Sequence, residues 1–369
     1  MKDRIRRIFE KVEPEADALL FVNAASPHID SSFFYVFDVP SGLFEGCAAV
    51  ARPDGSLTIL TSPLEEESAR QAARRDSEVD VEVIRGRDER EKRLTQLLEA
   101  KSRIALNYHE LTHEDFLSVA GAFPAAEFSD ASSAVRKTRM VKDASEIERL
   151  RRAGEIGSRV AREIPSLLKE GITELQLAGE MEYRMALAGA SGRSFETIVG
   201  FGPHGAEPHF SPQSFALVPG ASIVCDFGAL SQRYVSDITR SYHFGPTDSE
   251  LKRVHQKVAE AQQAGLDQVR AGVAGKEVHL AAARVIDASP WKGLFNHGVG
   301  HSIGLAVHDG FSMNPRVEEP LEVGMALTVE PGIYIAGRGG VRIEDDILVT
   351  EKGYEFLTTA PREYLEVPA

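Results

Sequence analysis

Several features that mark specialised classes of protein are scarce or absent in this chain. Its 369 residues include only two cysteines, Cys47 and Cys225, too few for a disulfide framework. No apolar run approaches the roughly eighteen residues that a bilayer-spanning helix needs. The formal net charge is −14, so neither nucleic acid nor an anionic membrane is an expected partner. The charged start MKDRIRRIFEKVEPEAD has no apolar segment of the kind that directs secretion, and we expect a cytoplasmic location.

The length of the chain allows two domains of ordinary size. From residue 18 to about 130, short apolar runs alternate with helical stretches, a pattern that predicts an α/β domain. The residues Pro53, Asp54 and Gly55 separate two of these runs and predict a hairpin turn. The polar stretch SDASSAVRKTRMVKDASE then precedes a long amphipathic helix. We therefore predict domains at 1–133 and 134–369.

The second domain has one order of elements that occurs twice. Helical patterns at 145–169 and 173–189 precede a strand pair around 222–244. Further helical patterns at 248–271 and 276–288 precede a strand pair around 326–349. This order suggests a duplication, although the two halves share no convincing residue identity. Each half would bring a hairpin to a shared central sheet, and the seam is a natural position for a pocket.

Both predicted hairpins carry a pair of carboxylates. In SIVCDFGALSQRYVSDITRSYHF, a loop centred on residues 231–232 places Asp226 opposite Asp237. In ALTVEPGIYIAGRGGVRIEDDILVT, a loop centred on Gly337 places Glu330 opposite Glu344. Carboxylates facing each other at about 5 Å repel by roughly 3 kcal/mol at an effective dielectric near 20. A single strand acid is more often outward-facing and solvated, but four acids in apolar contexts indicate a bound cation.

A glycine-rich stretch, FNHGVGHSIGLAVHDG, supplies imidazoles at His297, His301 and His308. The first two have the spacing of a helical zinc motif, yet the glycines disfavour a helix and no Glu follows His297. We predict an extended segment. One imidazole with four carboxylates forms an oxygen-rich ligand set that suits Mn²⁺, Co²⁺ or Fe²⁺. Four negative charges balance two divalent ions, and two such ions can lower the pKa of a shared water, which indicates a hydrolase.

These residues, inside DFGA, SDITR, GHSIGLAVHD, EPGIY and VRIED, resemble the five ligands of the M24 family of metallopeptidases with the pita-bread fold. That family includes Xaa-Pro dipeptidases (prolidases), aminopeptidase P and methionine aminopeptidases. The resemblance runs from about residue 135 to the end, and the N-terminal region resembles the creatinase-like domain of prolidases and aminopeptidase P. It implies an α/β creatinase-like domain followed by an α+β pita-bread domain with pseudo-twofold duplicated halves.

The resemblance also assigns roles to residues. It implies that Asp226 binds one metal ion, that Asp237 and Glu344 bridge two, and that His301 and Glu330 complete the other, with Glu330 also the general base. It places His209 and His308 near the substrate, where they stabilise the tetrahedral intermediate. His297 would either lie behind the ligands and handle protons or serve as a structural hydrogen-bonding group. Arg342 would orient carboxylates or a substrate group. The implied ions are Mn²⁺ or Co²⁺, with Fe²⁺ or Zn²⁺ as alternatives.

Function is predicted as hydrolysis of Xaa-Pro bonds in small peptides with proline second, by an Xaa-Pro dipeptidase that forms a homodimer. Aminopeptidase P activity is the alternative, because no single residue shows whether the site binds a free carboxylate directly after proline or leaves room for further residues. The residues after His308, DGFSMNP, also depart from the Glu and proline-containing segment of many prolidases. A metal-free binding module is a further alternative, but such relatives replace the carboxylate ligands. The sequence GFGPHG at 200–205 fits a dinucleotide fingerprint, yet prolines follow where a phosphate-binding helix should begin. No organic cofactor is predicted.

Overall fold

Two separately packed units make up the chain, Met1–Arg139 and Met140–Ala369. The computed structural model describes residues 1–100, 102–246 and 248–369. Within these ranges, no helix combines the length and the apolar character needed to cross a membrane. The domain limits 1–133 and 134–369 stay a prediction.

The first unit is an α/β domain built on a six-stranded sheet with strand order β4-β3-β2-β1-β5-β6. Its strands are β1 (Ala18–Val22), β2 (Ala48–Ala51), β3 (Leu57–Thr61), β4 (Val79–Val83), β5 (Arg103–Leu106) and β6 (Glu127–Asp130). Its helices are α1 (Lys2–Phe9), α2 (Ser31–Phe37), α3 (Glu66–Ala73), α4 (Arg87–Leu97), α5 (His113–Ala122) and α6 (Ser132–Met140). Strand β2 is antiparallel to both neighbours, whereas β1, β5 and β6 are parallel to one another. The predicted hairpin at residues 53–55 joins β2 to β3.

The second unit has the predicted duplicated order, two helices followed by strands, in each half. Its helices are α7 (Ala144–Glu163), α8 (Glu174–Leu187), α9 (Ser249–Leu266) and α10 (Gly275–Asp287). The strands of the first half are β7 (Gly192–Arg193), β8 (Ile198–Phe201), β9 (Ser222–Phe227), β10 (Ala229–Ser231), β11 (Tyr234–Val235) and β12 (Ile238–Phe244). Those that follow are β13 (Gly300–His301), β14 (Ser312–Met313), β15 (Ala326–Val329), β16 (Gly332–Ile335), β17 (Gly339–Arg342), β18 (Asp345–Val349), β19 (Tyr354–Phe356) and β20 (Glu366–Val367).

Local sequence explains where the two helices of the first half begin. Asp143 and Glu146 form a capping box at the start of α7, and Thr173 and Gln176 form another at the start of α8. In each box, a side-chain acceptor takes a backbone N–H that the first helical turn cannot satisfy. The apolar faces of α7 and α8 then pack on β8, β9 and β12 to form one buried cluster. Helices α9 and α10 pack on β15, β16 and β18 to form the other.

The two halves meet along their hairpins. The Glu344 backbone N–H donates to the Thr239 carbonyl oxygen at 3.2 Å, and the Arg342 backbone N–H donates to Ser241 Oγ at 3.0 Å. These bonds join the strand ends of the second half to β12 of the first. The seam predicted from the duplicated order is therefore present, and the acidic residues of both hairpins lie beside it.

Candidate metal centre

The first hairpin carries Asp226 and Asp237, but the predicted register was wrong by two residues. Asp226 pairs across the strands with Thr239, not with Asp237. The tight turn is formed by Gln232 and Arg233, which have positive φ angles of 48° and 72°, so the chain reverses later than expected. Positive φ angles at two successive residues are typical of the two-residue turns whose twist matches that of a hairpin. Neither glutamine nor arginine, however, is a residue type that predicts a left-handed conformation.

Asp237 lies at an interruption between β11 and β12 rather than inside a regular ladder. Opposite this interruption is Gly228, where a Cβ atom would lie 1.8 Å from the Ser236 carbonyl oxygen. A side chain at residue 228 would therefore push the strands apart. The backbone N–H of Asp237 is held by Asp346, whose Oδ2 accepts it at 2.9 Å. The close approach and this bond together determine where the Asp237 carboxylate lies.

The second hairpin has the predicted register. Gly332 pairs with Arg342, and Val329 pairs with Asp345, so both ladders are centred on Gly337. Glu330 and Glu344 lie at facing positions between the two ladders. Because neither residue is inside a ladder, both side chains can point into the same space from the two strands.

His301 joins these carboxylates from strand β13, which confirms an extended backbone at this point in the glycine-rich stretch. A Cβ atom on the preceding Gly300 would lie 2.0 Å from the Thr328 carbonyl oxygen, so glycine permits this close packing. The Nε2 atom of His301 lies 3.6 Å from Asp237 Oδ2 and 3.5 Å from Glu330 Oε1. Ligand atoms of Asp237, His301 and Glu344 all lie within 4.8 Å of one another.

The electrostatics of the cluster favour a cation. Burial raises the pKa of Asp237 well above its usual value, and the charges of Glu344 and Asp226 raise it further. Burial and the charge of Glu330 likewise raise the pKa of Glu344. Burial raises the pKa of Glu330 to about 8, although the guanidinium of Arg342 opposes this shift. The carboxylates are therefore destabilised in their charged forms as long as no cation lies among them.

Two orphaned oxygen atoms mark the position for such a cation. Within the described part of the chain, neither Asp226 Oδ1 nor Asp237 Oδ1 has a hydrogen-bond donor, although both atoms are buried. The His301 Nδ1–H faces the Ser302 carbonyl oxygen at 3.4 Å, which leaves Nε2 as the unprotonated nitrogen beside the acids. Burial lowers the pKa of His301 to about 4. An oxygen-rich set with one neutral imidazole fits Mn²⁺, Co²⁺ or Fe²⁺.

Arg342 orients the carboxylates through hydrogen bonds. Its guanidinium, almost fully buried, donates to Asp226 Oδ2 at 2.6 Å and to Thr239 Oγ1 at 3.0 Å. The Thr239 hydroxyl in turn donates to Glu344 Oε2 at 2.6 Å. Arg342 therefore orients one acid directly and a second acid through Thr239.

His297 lies beside the cluster with both ring nitrogens engaged. Its Nδ1–H donates to the Gly298 carbonyl oxygen at 2.8 Å, and Nε2 accepts from the Tyr334 hydroxyl at 2.9 Å. The Tyr334 oxygen itself accepts from Arg342 at 2.9 Å. Burial, with the nearby charge of Arg342, lowers the pKa of His297 to about 4. Both ring nitrogens of His297 are thus hydrogen-bonded within the protein, and its role stays a prediction.

All nine residues singled out from the sequence line one cavity of about 530 Å³. They are His209, Asp226, Asp237, His297, His301, His308, Glu330, Arg342 and Glu344. The ring of His308 lies 4.3 Å from that of His301, centroid to centroid, and His209 lies on the exposed loop after β8. Apolar side chains complete the walls: Phe195, Ile198, Pro208, Val307 and Phe311. The cavity thus combines a cluster of acidic side chains with apolar walls that suit an apolar side chain or a proline ring.

Residues that organise the cluster without having been predicted include Thr239, Tyr334 and Asp346. Each bonds to a predicted residue rather than facing the cavity itself. Threonine and tyrosine are common on strands for packing reasons alone, so no sequence signal separates these two from their neighbours. Asp346 is fully buried within the run EDD, and that acidic run was the one available hint.

The fold and the cavity define a two-domain peptidase of the pita-bread type, and comparison with known proteins identifies the family. Residues 148–351 match Metallopeptidase family M24, and residues 3–141 match the Creatinase/Prolidase N-terminal domain. The chain belongs to metallopeptidase family M24. The uncharacterized peptidase YqhT of Bacillus subtilis is 35% identical over 263 residues, which cover 71% of this chain and 74% of that protein.

Solved structures of two related enzymes match nearly the whole chain. The X-Pro aminopeptidase from Thermotoga maritima has a TM-score of 0.89 and 33% identity, covering 99% of this chain and 100% of that one. The Xaa-Pro dipeptidase from Bacillus anthracis has a TM-score of 0.88 and 32% identity, covering 99% and 98%. The predicted family and fold class are confirmed. The two solved structures are named for different activities but have the same fold, so the fold alone does not distinguish a dipeptidase from an aminopeptidase.

Proposed function

We propose that this protein is a dinuclear-metal exopeptidase that hydrolyses Xaa-Pro bonds, and specifically an Xaa-Pro dipeptidase. The observation that carries the proposal is the convergence of Asp237, His301 and Glu344 ligand atoms within 4.8 Å, beside Asp226 and Glu330 in one cavity. A set of acids this crowded is costly without a cation. The complete set also argues against a metal-free binding module, in which such ligands have no use.

Five residues would hold the ions: Asp226, Asp237, His301, Glu330 and Glu344. When bound, two divalent ions, Mn²⁺ or Co²⁺ with Fe²⁺ or Zn²⁺ as alternatives, supply Lewis acidity for the scissile carbonyl and favour water as a nucleophile. Thr239 and Arg342 keep the carboxylates oriented before the substrate arrives. Orientation of the carboxylates before the reaction is what preorganised stabilisation requires.

Other residues would handle protons and developing charge. Glu330, with 16% of its side chain exposed, faces the cavity and would take a proton from the attacking water and give it to the leaving amine. His209 and His308 would donate hydrogen bonds to the carbonyl oxygen as it becomes an oxyanion. Phe195, Ile198 and Phe311 would pack against the proline ring and the side chain before it.

Aminopeptidase P activity is the second candidate, and the bonding of Arg342 favours it. A dipeptidase has to bind the free carboxylate directly after proline. Among the described residues that line the cavity, Arg342 is the only arginine or lysine, and it already donates to Asp226, Thr239 and Tyr334. The free carboxylate of a bound dipeptide would then depend on hydrogen bonds from His209 or His308. Hydrolysis of Ala-Pro should nevertheless exceed that of Ala-Pro-Ala at equal concentration, and the reverse preference would assign aminopeptidase P activity.

The assignment of Glu330 as base is tested by Glu330→Gln in Mn²⁺-loaded protein. We expect kcat for Ala-Pro to fall by about 10²- to 10⁴-fold, the range typical of a lost general base. Glu322→Gln, which changes an exposed acid nearby in the chain, is the matched control and should keep parental activity. Bound manganese should be measured in all three proteins, because Glu330 is also a proposed ligand. A Glu330→Gln protein as active as the parent would remove the base from the proposal.

Assembly and location are proposed on the family resemblance and on composition. We expect a homodimer, which light scattering of the purified protein would detect as twice the 40.3 kDa chain mass. Both cysteines are free and buried, as is common in a reducing cytoplasm. A monomeric mass under assay conditions would contradict the first of these proposals.

A further inference from the structure

A buried carboxylate outside the cavity, that of Glu174, binds the loop that carries His209. Glu174 is the first residue of α8 and is fully buried. Its Oε1 accepts from the Phe201 backbone N–H and faces His204 Nδ1, each at 2.8 Å. Its Oε2 accepts from the Gln213 backbone N–H at 3.0 Å. One side chain therefore receives three bonds from a single segment of chain.

That segment, residues 201–213, is the His209 loop. Phe201 and Gln213 are its two ends, so the carboxylate bonds both ends at once. Between them, the ring of His204 lies 4.4 Å from that of Phe210, in a stacked arrangement. At the tip of the loop, Pro208 and His209 line the cavity. The tip also has a weak bond from Arg342 to the Pro208 carbonyl oxygen, at 3.5 Å.

Helix capping does not explain why a glutamate is buried at this position. The start of α8 is already capped, because Thr173 and Gln176 form a complete capping box. A buried carboxylate is costly unless several donors compensate it. Among the described residues, the three donors to Glu174 all belong to the His209 loop, so holding that loop is what the side chain does.

We propose that Glu174 is a positioning residue that holds the His209 loop so that the imidazole of His209 faces the candidate metal centre. The proposal rests on the role of His209 in the proposed function. Because the side chain of His209 is exposed, its position depends on the anchors of the loop. Glu174 acts on the reaction through His209 without touching the substrate.

The test begins with Glu174→Gln, which keeps the shape of the side chain but replaces an acceptor oxygen with an NH₂ group. One loop donor then faces another donor, so one end of the loop is released. Hydrogen–deuterium exchange should rise at the amides of residues 201–213 and stay parental in α9 and α10. Glu180→Gln, on the same helix with an exposed ion pair to Arg184, is the matched control and should leave exchange unchanged.

Kinetics then separate positioning from general damage. In Mn²⁺-loaded protein acting on Ala-Pro, Glu174→Gln should lower kcat by about tenfold, the scale of one transition-state hydrogen bond, with KM changed little. In a His209→Ala background, the same substitution should lower kcat less than about twofold, because coupled residues are not additive. An equal loss of kcat with and without His209 would overturn the proposal, as would parental exchange in the His209 loop.

A second variant keeps the test decisive if Glu174→Gln fails to fold. His204→Phe removes one loop donor while keeping the aromatic packing against Phe210, and should give the same exchange and kinetic pattern more weakly. Parental exchange and kcat in that variant would also overturn the proposal. If the parent protein cleaves no Xaa-Pro peptide, the proposed function fails, whereas the exchange measurements still decide whether Glu174 holds the loop.

Discussion

Replacing Asp237 with asparagine should stabilise the protein when metal is absent and abolish its stabilisation by metal. Asp237 is 4% exposed, and its ligand oxygen lies within 4.8 Å of that of Glu344. Two ionised groups at this distance would repel by about 3.5 kcal/mol at an effective dielectric near 20. The raised pKa values of both acids mean that the folded protein avoids part of this repulsion by binding protons when metal is absent, and that proton uptake also lowers stability at neutral pH. The substitution Asp237→Asn removes this repulsion and leaves a side chain of nearly the same volume. Its free energy of unfolding in EDTA should therefore exceed that of the parent by up to about 3 kcal/mol.

Metal should reverse the order of stability. A ligand at one hundred times its Kd stabilises the folded state by about 2.7 kcal/mol. For a unit the size of residues 140–369, that corresponds to a rise in Tm of about 5–11 °C. The parent should show this rise when Mn²⁺ replaces EDTA. Asp237→Asn should show little of it, because a neutral amide oxygen is a weaker ligand than a carboxylate and no longer balances the charge of two ions.

The measurement is thermal unfolding by circular dichroism, in EDTA and in excess Mn²⁺, for the parent and Asp237→Asn. Asp267→Asn removes one negative charge from an exposed position on the same unit and is the matched control, with the parental response to Mn²⁺. Two results would refute the reasoning. One is a parent whose Tm is the same in EDTA and Mn²⁺, and the other is a variant less stable than the parent in EDTA.

Three further predictions concern the free energy of unfolding of the protein. Gly228→Ala should lower the free energy of unfolding by about 1–3 kcal/mol or more, since the new methyl group meets the Ser236 carbonyl oxygen at 1.8 Å. Gly353→Ala, with open space around it, is the control in urea titrations, and equal losses would contradict the clash. Arg240→Met should cost about 3–5 kcal/mol, because it leaves Asp345 buried without the guanidinium that donates to it at 2.6 Å; a parental urea midpoint would count against this. Burial lowers the pKa of His243 to about 3, against 6.5 when exposed, so its neutral form is favoured by folding. Stability is therefore complete above pH 6.5 and lost as the pH falls towards 3, by about 1.4 kcal/mol per pH unit. His243→Phe should reduce the drop between pH 7 and pH 5 by about 2 kcal/mol, and an unchanged drop would refute the assignment.

The comparison of sequence with structure depends on the kind of residue. Acids on apolar strands and histidines among glycines are unusual enough to be noticed, and the seven residues chosen on that basis line one cavity, together with His209 and Arg342, which the family resemblance pointed out. Thr239 and Tyr334 have equally specific bonds, but their residue types are ordinary for strands. Glu174 was overlooked for a similar reason, because a glutamate at the first position of a helix is favourable for the helix dipole alone.

The two hairpins show how far strand arithmetic extends. The register around Gly337 was correct because a glycine turn marks its own centre. The register of the first hairpin was wrong by two residues because Gln232 and Arg233 adopt left-handed conformations that their types do not favour. The acids Asp226 and Asp237 nevertheless reach the same cavity, because the interruption at Gly228 and the bond from Asp346 bring Asp237 there. Tertiary contacts therefore bring the two acids together, whereas the predicted pairing had attributed their proximity to the hydrogen-bonded strand ladder.

The amino-acid sequence alone determined the duplicated order of elements and the identity of the acidic and imidazole side chains, because periodicity and unusual residues in apolar settings are local properties. Its motifs indicated the class of fold through their resemblance to a known family. The tertiary structure decided which atoms of those side chains are orphaned and which are held by Arg342, Thr239 and Tyr334. It also decided that a carboxylate on α8 holds the loop of His209. Such bonds join residues that are distant in the chain. The bonds from Arg342 to Asp226 and Thr239 follow from how the two halves pack against each other, whereas those of Glu174 follow from packing within the first half.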